Sequence, residues 1–212
     1  MLSTRVILAD DHTLVLEALK KLLEPEFEVV GAFTEGHKLV EEAPKLKPNI
    51  IVLDICMPTM NGLNAGQRLK QMIPTAKLIY LTMNNDPDMA AEAFRLGASG
   101  YVLKNSAASE LVDAIRLVAR GGSYVTRLMT RDVVGSVIHH FKNLKSTNHL
   151  TLRQKEVLQL LAEGRSMKEA AYVLNVSPRT VAFHKYTMME HLHIKSSAEL
   201  IQYAMSSQFQ TT

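Results

Sequence analysis

The sequence is poor in several things, and each shortage excludes something. It has one cysteine, Cys56, so no internal disulfide can form, which fits a reducing compartment. No apolar run approaches the roughly 20 residues that a membrane-spanning helix needs. The start, MLSTRVILADD, reaches acidic residues too early for a secretory signal peptide. No internal repeat or low-complexity tract interrupts the chain. The expectation is a cytoplasmic protein with no membrane attachment. What is present is ordinary for a globular chain: 47% apolar and 21% charged residues exclude wholesale disorder. The net charge of +3 is unevenly spread. Residues 1–125 hold 13 basic against 15 acidic side chains, residues 126–145 hold 4 against 1, and residues 146–212 hold 7 against 5. A mildly basic C-terminal part hints at an anionic partner.

The 212 residues suit one large domain or two small ones. Five β-rich runs, RVILAD (5–10), FEVVGAF (27–33), NIIVLD (49–54), KLIYLT (77–82) and GYVL (100–103), alternate with helical patterns. HTLVLEALKKLL sets Leu16, Leu19, Leu22 and Leu23 on one face. Further helical stretches are expected at 36–46, 62–73, 86–96 and 108–119. Strands separated by helices imply βαβ units and a parallel sheet. The continuous apolar runs at 5–9 and 50–53 suit central strands covered on both faces. After Gly121-Gly122 no convincing strand remains. A helix is expected over 130–141, a polar linker over 140–149, then short helices at 152–163, 167–174, 178–192 and 197–206. Three segments result: 1–122, a linker with a helix at 123–148, and 149–212.

The stretch IIVLDICMPTMNGL asks why a strand that reads as wholly buried ends on Asp54, ahead of a turn with Pro58, Asn61 and Gly62. Ligands of open α/β sheets bind at the carboxyl ends of the strands, near the point where strand order reverses. Asp10 and Asp11 end the first strand, Asp54 the third and Thr82 the fourth, and Lys104 follows the fifth. Singly, each has an ordinary role: an aspartate after a strand is usually a helix cap or turn former, and a loop lysine is usually solvated. Together they form one site. Three close carboxylates repel unless a cation intervenes, and an all-oxygen set favours a hard cation such as Mg²⁺. Lys104 and the Thr82 hydroxyl suit phosphoryl oxygens. A carboxylate in that setting can act as a nucleophile and become an aspartyl phosphate.

LADDH, VLDICMPTMNGL, YLTMNNDPD and GASGYVLKNSA resemble the receiver domain of two-component response regulators, over about residues 4–122. The resemblance implies a flavodoxin-like, five-stranded α/β fold. It implies Asp54 as phosphoacceptor, and Asp10, Asp11, Asp54 and the Cys56 carbonyl as Mg²⁺ ligands. Thr82 and Lys104 would contact the phosphoryl group, with Tyr101 as the aromatic switch residue. One departure concerns the position after the lysine. Many receivers place proline there, often with a cis bond; here it is Asn105, so no cis bond is expected.

MKEAAYVLNVSPRTVAFHKYTMMEHLHI has the form helix, short turn, helix. Ser177 is a good N-cap and Pro178 suits the first helical position. Val181, Met188 and Leu192 form one apolar stripe of the second helix. Arg179, Ala182, Phe183 and Tyr186 fall away from that stripe, with Lys168, Lys185 and Lys195 around them. The stretch resembles a LuxR-type DNA-binding domain, and that resemblance makes these residues, with Thr180 and His184, the expected DNA contacts: cations and hydroxyls at phosphates, Ala182 and Phe183 at thymine methyls, Tyr186 at a base or phosphate; the alternative for Phe183 is packing against the neighbouring helix. Residues 149–206 are similar to the LuxR-type four-helix helix-turn-helix DNA-binding domain. The lysine this family often carries at position 182 is absent.

Both resemblances together imply a NarL/FixJ-type response regulator. Its implied partners are a sensor histidine kinase that phosphorylates Asp54, double-stranded promoter DNA and a second copy of the chain, with RNA polymerase a candidate. By the same resemblance Leu200, Ile201 and Ala204 are the candidate dimer contacts in the DNA-bound form; the alternative is that they pack only within the bundle. Two other readings compete. An aspartyl-phosphate hydrolase acting on small molecules would resemble proteins with a second Asp two residues after the nucleophile, where this chain has Cys56, so the chain is expected not to be an enzyme beyond assisting transfer to, and hydrolysis at, its own Asp54. A constitutive DNA binder would have no need of the intact set Asp10, Asp11, Asp54, Thr82 and Lys104.

Overall fold

A computed structural model describes residues 3–57, 60–83, 85–106, 108–130 and 150–206. The chain divides into two compact units, Met1–Val137 and Ile138–Thr212. Beyond Thr130, the expected helix over 130–141 lies outside the described residues, as do the polar linker up to 149 and the turn residue Pro58. Among those described, no helix is long and apolar enough to cross a membrane.

In the first unit, strands β1 (Arg5–Ala9), β2 (Glu28–Phe33), β3 (Ile50–Asp54), β4 (Lys77–Thr82) and β5 (Gly100–Leu103) alternate with α1 (Thr13–Leu23), α2 (Gly36–Leu46), α3 (Gly62–Met72), α4 (Pro87–Arg95) and α5 (Ala108–Ala119). A sixth strand, β6 (Tyr124–Val125), follows, and the sheet order is β2-β1-β3-β4-β5-β6, parallel throughout. The expectation of five strands is therefore one short, and the sheet continues past residue 122. A two-residue strand has no periodicity of its own; it exists because β5 offers an open edge.

The sheet is covered on both faces, as the apolar runs require. Val6, Leu8, Ile50, Val52, Ile79, Leu81 and Val102 pack with Leu16 and Leu23 of α1 and Leu111, Ile115 and Val118 of α5. The alternate residues Ile7, Ile51, Leu53, Leu78 and Tyr80 are equally buried on the other face. There Gly66 of α3 lets the helix close on β4: a Cβ at Gly66 would overlap the Tyr80 hydroxyl. The strand order reverses between β1 and β3, since β2 lies outside β1 and β3 inside it. The crevice beyond those two strand ends is where this architecture binds ligands.

The second unit holds α6 (Leu152–Ala162), α7 (Met167–Val173), α8 (Pro178–His191) and α9 (Ser197–Ser206). Local sequence sets their limits. Thr151 with Gln154, and Ser166 with Glu169, form capping boxes at the starts of α6 and α7. Ser177 caps α8 and Pro178 sits in its first turn. Val157, Leu158, Ala170, Ala171, Val181, Met188, Leu200 and Ala204 make the core. Leu200 and Ala204, expected at a dimer contact, are thus spent inside the bundle, because they share the inward face of α9; Ile201 is half-buried.

Candidate functional site

The C-terminal ends of β1 and β3 bring Asp10 and Asp54 together, and Lys104 reaches both. Its Nζ lies 2.6 Å from Asp10 Oδ2 and 2.8 Å from Asp54 Oδ2. Both carboxylates are almost wholly buried, at 1% and 3% exposure, while the Lys104 side chain retains a small opening to solvent. Burial works against the ammonium charge, but the hydrogen bonds to Asp10 and Asp54 outweigh it and raise the Lys104 pKa above the ordinary lysine value. The other Asp54 oxygen, Oδ1, accepts the Cys56 backbone N–H at 3.0 Å.

Asp11 joins from the β1–α1 loop. Helix α1 is capped at His12 with no side-chain cap bond, so Asp11 is not that helix's cap. Its carboxylate instead faces the His12 ring, with Asp11 Oδ1 at 2.8 Å and Asp10 Oδ1 at 3.2 Å from Nδ1. The ligand atoms of Asp10, Asp11, His12 and Asp54 all lie within 4.8 Å of one another. This donor set is predominantly carboxylate oxygen and fits a hard divalent cation. His12 was not singled out from the sequence; the signal was its place directly after the acidic pair.

The turn after Asp54 is shaped for the site. Asn61 caps α3 by accepting the Leu63 N–H at 2.6 Å, and Gly62 donates to the Ile55 carbonyl at 2.8 Å. Any side chain at Gly62 would run into the Asp54 backbone carbonyl, so only glycine lets α3 begin this close to the acidic strand end. Thr82, fully buried, ends β4 opposite Leu103, and its carbonyl accepts the Lys104 N–H at 2.8 Å. Tyr101 is fully buried in β5. Burial, then the negative charges of Asp86, Cys56 and Asp54, push its phenol well above the ordinary tyrosine value. Among the described residues there is no cis peptide bond, in line with Asn105 after the lysine.

The α8 residues expected at DNA divide into two groups. Arg179 and Tyr186 are exposed, Ala182 and Lys185 half-exposed, and Lys168 and Lys195 exposed on either side of the helix in sequence. The Lys185 ammonium lies 5.3 Å from the Tyr186 ring centroid, which keeps its charge on that face. Thr180, Phe183 and His184 correct the expectation, for all three are buried. The Thr180 hydroxyl is paired with the Ser177 hydroxyl at 2.9 Å within the helix start. His184 follows Val181 by three residues and shares its inward face. Phe183 meets His184 edge-on, ring centroids 5.0 Å apart, and a phenyl ring gains about 1.5–3 kcal/mol by leaving water.

Comparison with known proteins agrees with this geometry. Residues 6–116 match the response regulator receiver domain, and residues 148–204 match the bacterial regulatory proteins of the luxR family. The oxygen regulatory protein NreC of Staphylococcus carnosus is 33% identical over 209 residues, covering 95% of this chain and 96% of its own. The transcriptional regulatory protein DegU of Brevibacillus brevis is 33% identical over 214 residues, covering 93% and 91%. Among solved structures, the two-component response regulator RcsB in complex with DNA shares 30% identity at a TM-score of 0.62, covering 97% of this chain and all of that one. RcsB from Salmonella enterica serovar Typhimurium, bound to a promoter in the presence of the phosphomimetic BeF3-, gives the same two values over 96% and 98%. The chain therefore belongs to the NarL/FixJ-type response regulators, DNA-binding transcription regulators of two-component systems that join a receiver domain to a LuxR-type helix-turn-helix domain.

Proposed function

We propose that Asp54 accepts a phosphoryl group from a sensor histidine kinase, and that this modification controls dimerisation and promoter binding in the cytoplasm. One observation carries the reading: the buried Asp54 carboxylate, at the sheet's ligand-binding edge, is held by the one ammonium that also holds Asp10.

An Asp54 oxygen attacks the phosphorus of a phosphohistidine, the P–N bond breaks, and the imidazole leaves with its electron pair and takes up a proton. Lys104 and the Thr82 hydroxyl then hold phosphoryl oxygens. Asp10, Asp11, Asp54 and the Cys56 carbonyl would hold Mg²⁺, which when bound neutralises negative charge on the phosphoryl oxygens. His12 helps to orient the acidic pair. Lys104 must give up part of its contact with Asp54 in order to hold the phosphoryl group, so the modification alters the packing at the end of β5. Helix α8 enters the major groove, with Lys168, Arg179, Lys185 and Lys195 at phosphates and Ala182 and Tyr186 toward base edges.

Genome-wide mapping of bound DNA, with native protein and with Asp54→Asn, tests this reading. Occupancy of a defined set of promoters should depend on Asp54 and on the inducing kinase. Equal occupancy by the two proteins would make the chain a constitutive DNA binder.

A further inference from the structure

Lys104 is placed by the peptide before it, and that peptide is tied on both sides of β5. On the β4 side, the Lys104 N–H donates to the Thr82 carbonyl at 2.8 Å. On the β6 side, the parallel ladder runs up from Gly100 opposite Tyr124, with Thr126 N–H donating to the Tyr101 carbonyl at 2.9 Å. The next rung would need the Thr126 carbonyl for the Leu103 N–H. That carbonyl is turned away to accept Met129 N–H at 2.9 Å as the chain enters the 3-10 turn Arg127–Met129. The Thr126 hydroxyl takes its place and accepts the Leu103 N–H at 2.9 Å. Thr126 is 1% exposed and Leu103 2%, so no water is at hand to substitute. The Leu103 carbonyl is bound too, by the Ser106 hydroxyl at 2.6 Å and the Ser106 N–H at 3.0 Å.

We propose that Thr126 is a positioning residue for phosphoryl transfer: its hydroxyl completes the β5–β6 ladder at Leu103 and thereby fixes Lys104 over Asp54. Asn105 follows the lysine and lacks the fixed φ that a proline would supply there, so hydrogen bonds hold this strand end. Tyr124 and Arg127 brace the same strap, the Tyr124 hydroxyl and the Arg127 N–H donating to Glu110 Oε1 at 2.9 and 3.2 Å. Removing the Thr126 acceptor strands a buried donor and leaves β5 held at its end from the β4 side only.

The inference rests on Asp54 being the phosphoacceptor, and the experiment separates the two. Full-length native protein, Thr126→Val and Thr126→Ser are phosphorylated by acetyl phosphate over a range of Mg²⁺ and donor concentrations, with melting curves alongside. Valine keeps the shape and loses the acceptor; serine keeps the acceptor and loses a methyl group. The maximal rate of Thr126→Val should fall about tenfold, the effect of stranding one buried hydrogen-bond donor on the group it positions. Half-saturating Mg²⁺ should not move, because Asp10, Asp11 and Asp54 are untouched, and Thr126→Ser should stay within about twofold of native. Native rates in Thr126→Val, or equal losses in the valine and serine variants, overturn the proposal. If Thr126→Val melts below the assay temperature, all three proteins are assayed below its melting point, where a tenfold loss confined to the valine variant supports the proposal and native rates or equal losses overturn it. Unlabelled native protein would instead remove the reading on which the inference rests.

Discussion

Lys104 and Asp54, fifty residues apart in sequence, meet through a 2.8 Å hydrogen bond at the buried edge of the sheet. The same ammonium neutralises Asp10, so a single positive charge holds two carboxylates that would otherwise repel. Lys104→Met should therefore lower stability by about 3 kcal/mol in the absence of divalent cation, the typical effect of removing one partner from a buried ion pair. Added Mg²⁺ should then raise the melting temperature of the variant more than that of the native protein. Because the folded-state pKa of Lys104 is raised, its contribution is complete below the unfolded lysine value of about 10.4 and disappears only as pH rises through the folded value. Melting curves of both proteins from neutral to strongly alkaline pH check this: the difference between them should be flat at neutral pH and shrink at the alkaline end.

Glu110 gives the opposite sign. Partial burial disfavours its charge, but the hydrogen bonds from the Tyr124 hydroxyl and the Arg127 N–H outweigh that and lower its pKa. Its contribution is present above the unfolded glutamate value of about 4.3 and is lost as pH falls through the folded value. Glu110→Gln should remove that part of the acid-side loss of stability. The difference in melting temperature between native and variant should be constant near neutral pH and narrow below about pH 4.

Gly66 and Tyr80 should behave as a coupled pair. Gly66→Ala drives a methyl group into the Tyr80 hydroxyl and should cost about 1–3 kcal/mol, despite the better helix propensity of alanine. The Tyr80 hydroxyl is buried with no hydrogen-bond partner among the described residues. Tyr80→Phe should thus leave stability level or raise it, and should absorb much of the Gly66→Ala penalty. A double-mutant cycle by denaturant unfolding measures the coupling.

On the helical unit, Arg179→Ala and Lys185→Ala should each weaken binding to specific and scrambled DNA alike, lowering the slope of log affinity against log salt by roughly one. Met188→Ala, in the core, should instead cost about 2–5 kcal/mol of stability with the salt slope unchanged. Binding titrations at several salt concentrations, paired with melting curves, distinguish the two behaviours.

The acidic site was legible because each apolar strand run except the edge run 27–33 stops at a polar residue, and parallel topology puts those stops at one edge. Asp10, Asp54, Thr82 and Lys104 needed only that rule. Strand β6 was not legible: Tyr124-Val125 is too short to show a period, and its last rung is a side-chain hydroxyl, which no backbone pattern encodes. The helical wheel separated Val181 and Met188 from Arg179 and Tyr186, since direction about an axis follows from spacing. It left open whether Phe183, off that stripe, would face DNA or be buried; it is buried, its ring edge-on to His184. Leu200 and Ala204 show the same limit: an apolar stripe on a helix predicts burial and leaves open whether the cover is the bundle or a second copy.

The proposed function stands or falls on Asp54 being the residue phosphorylated. Acetyl phosphate and Mg²⁺ added to the native protein, followed by borohydride reduction and peptide mass spectrometry, should mark Asp54 alone, and Asp54→Asn should take up no label while melting at or above the native temperature without Mg²⁺. Label on a different residue, or sustained labelling of Asp54→Asn, would contradict it.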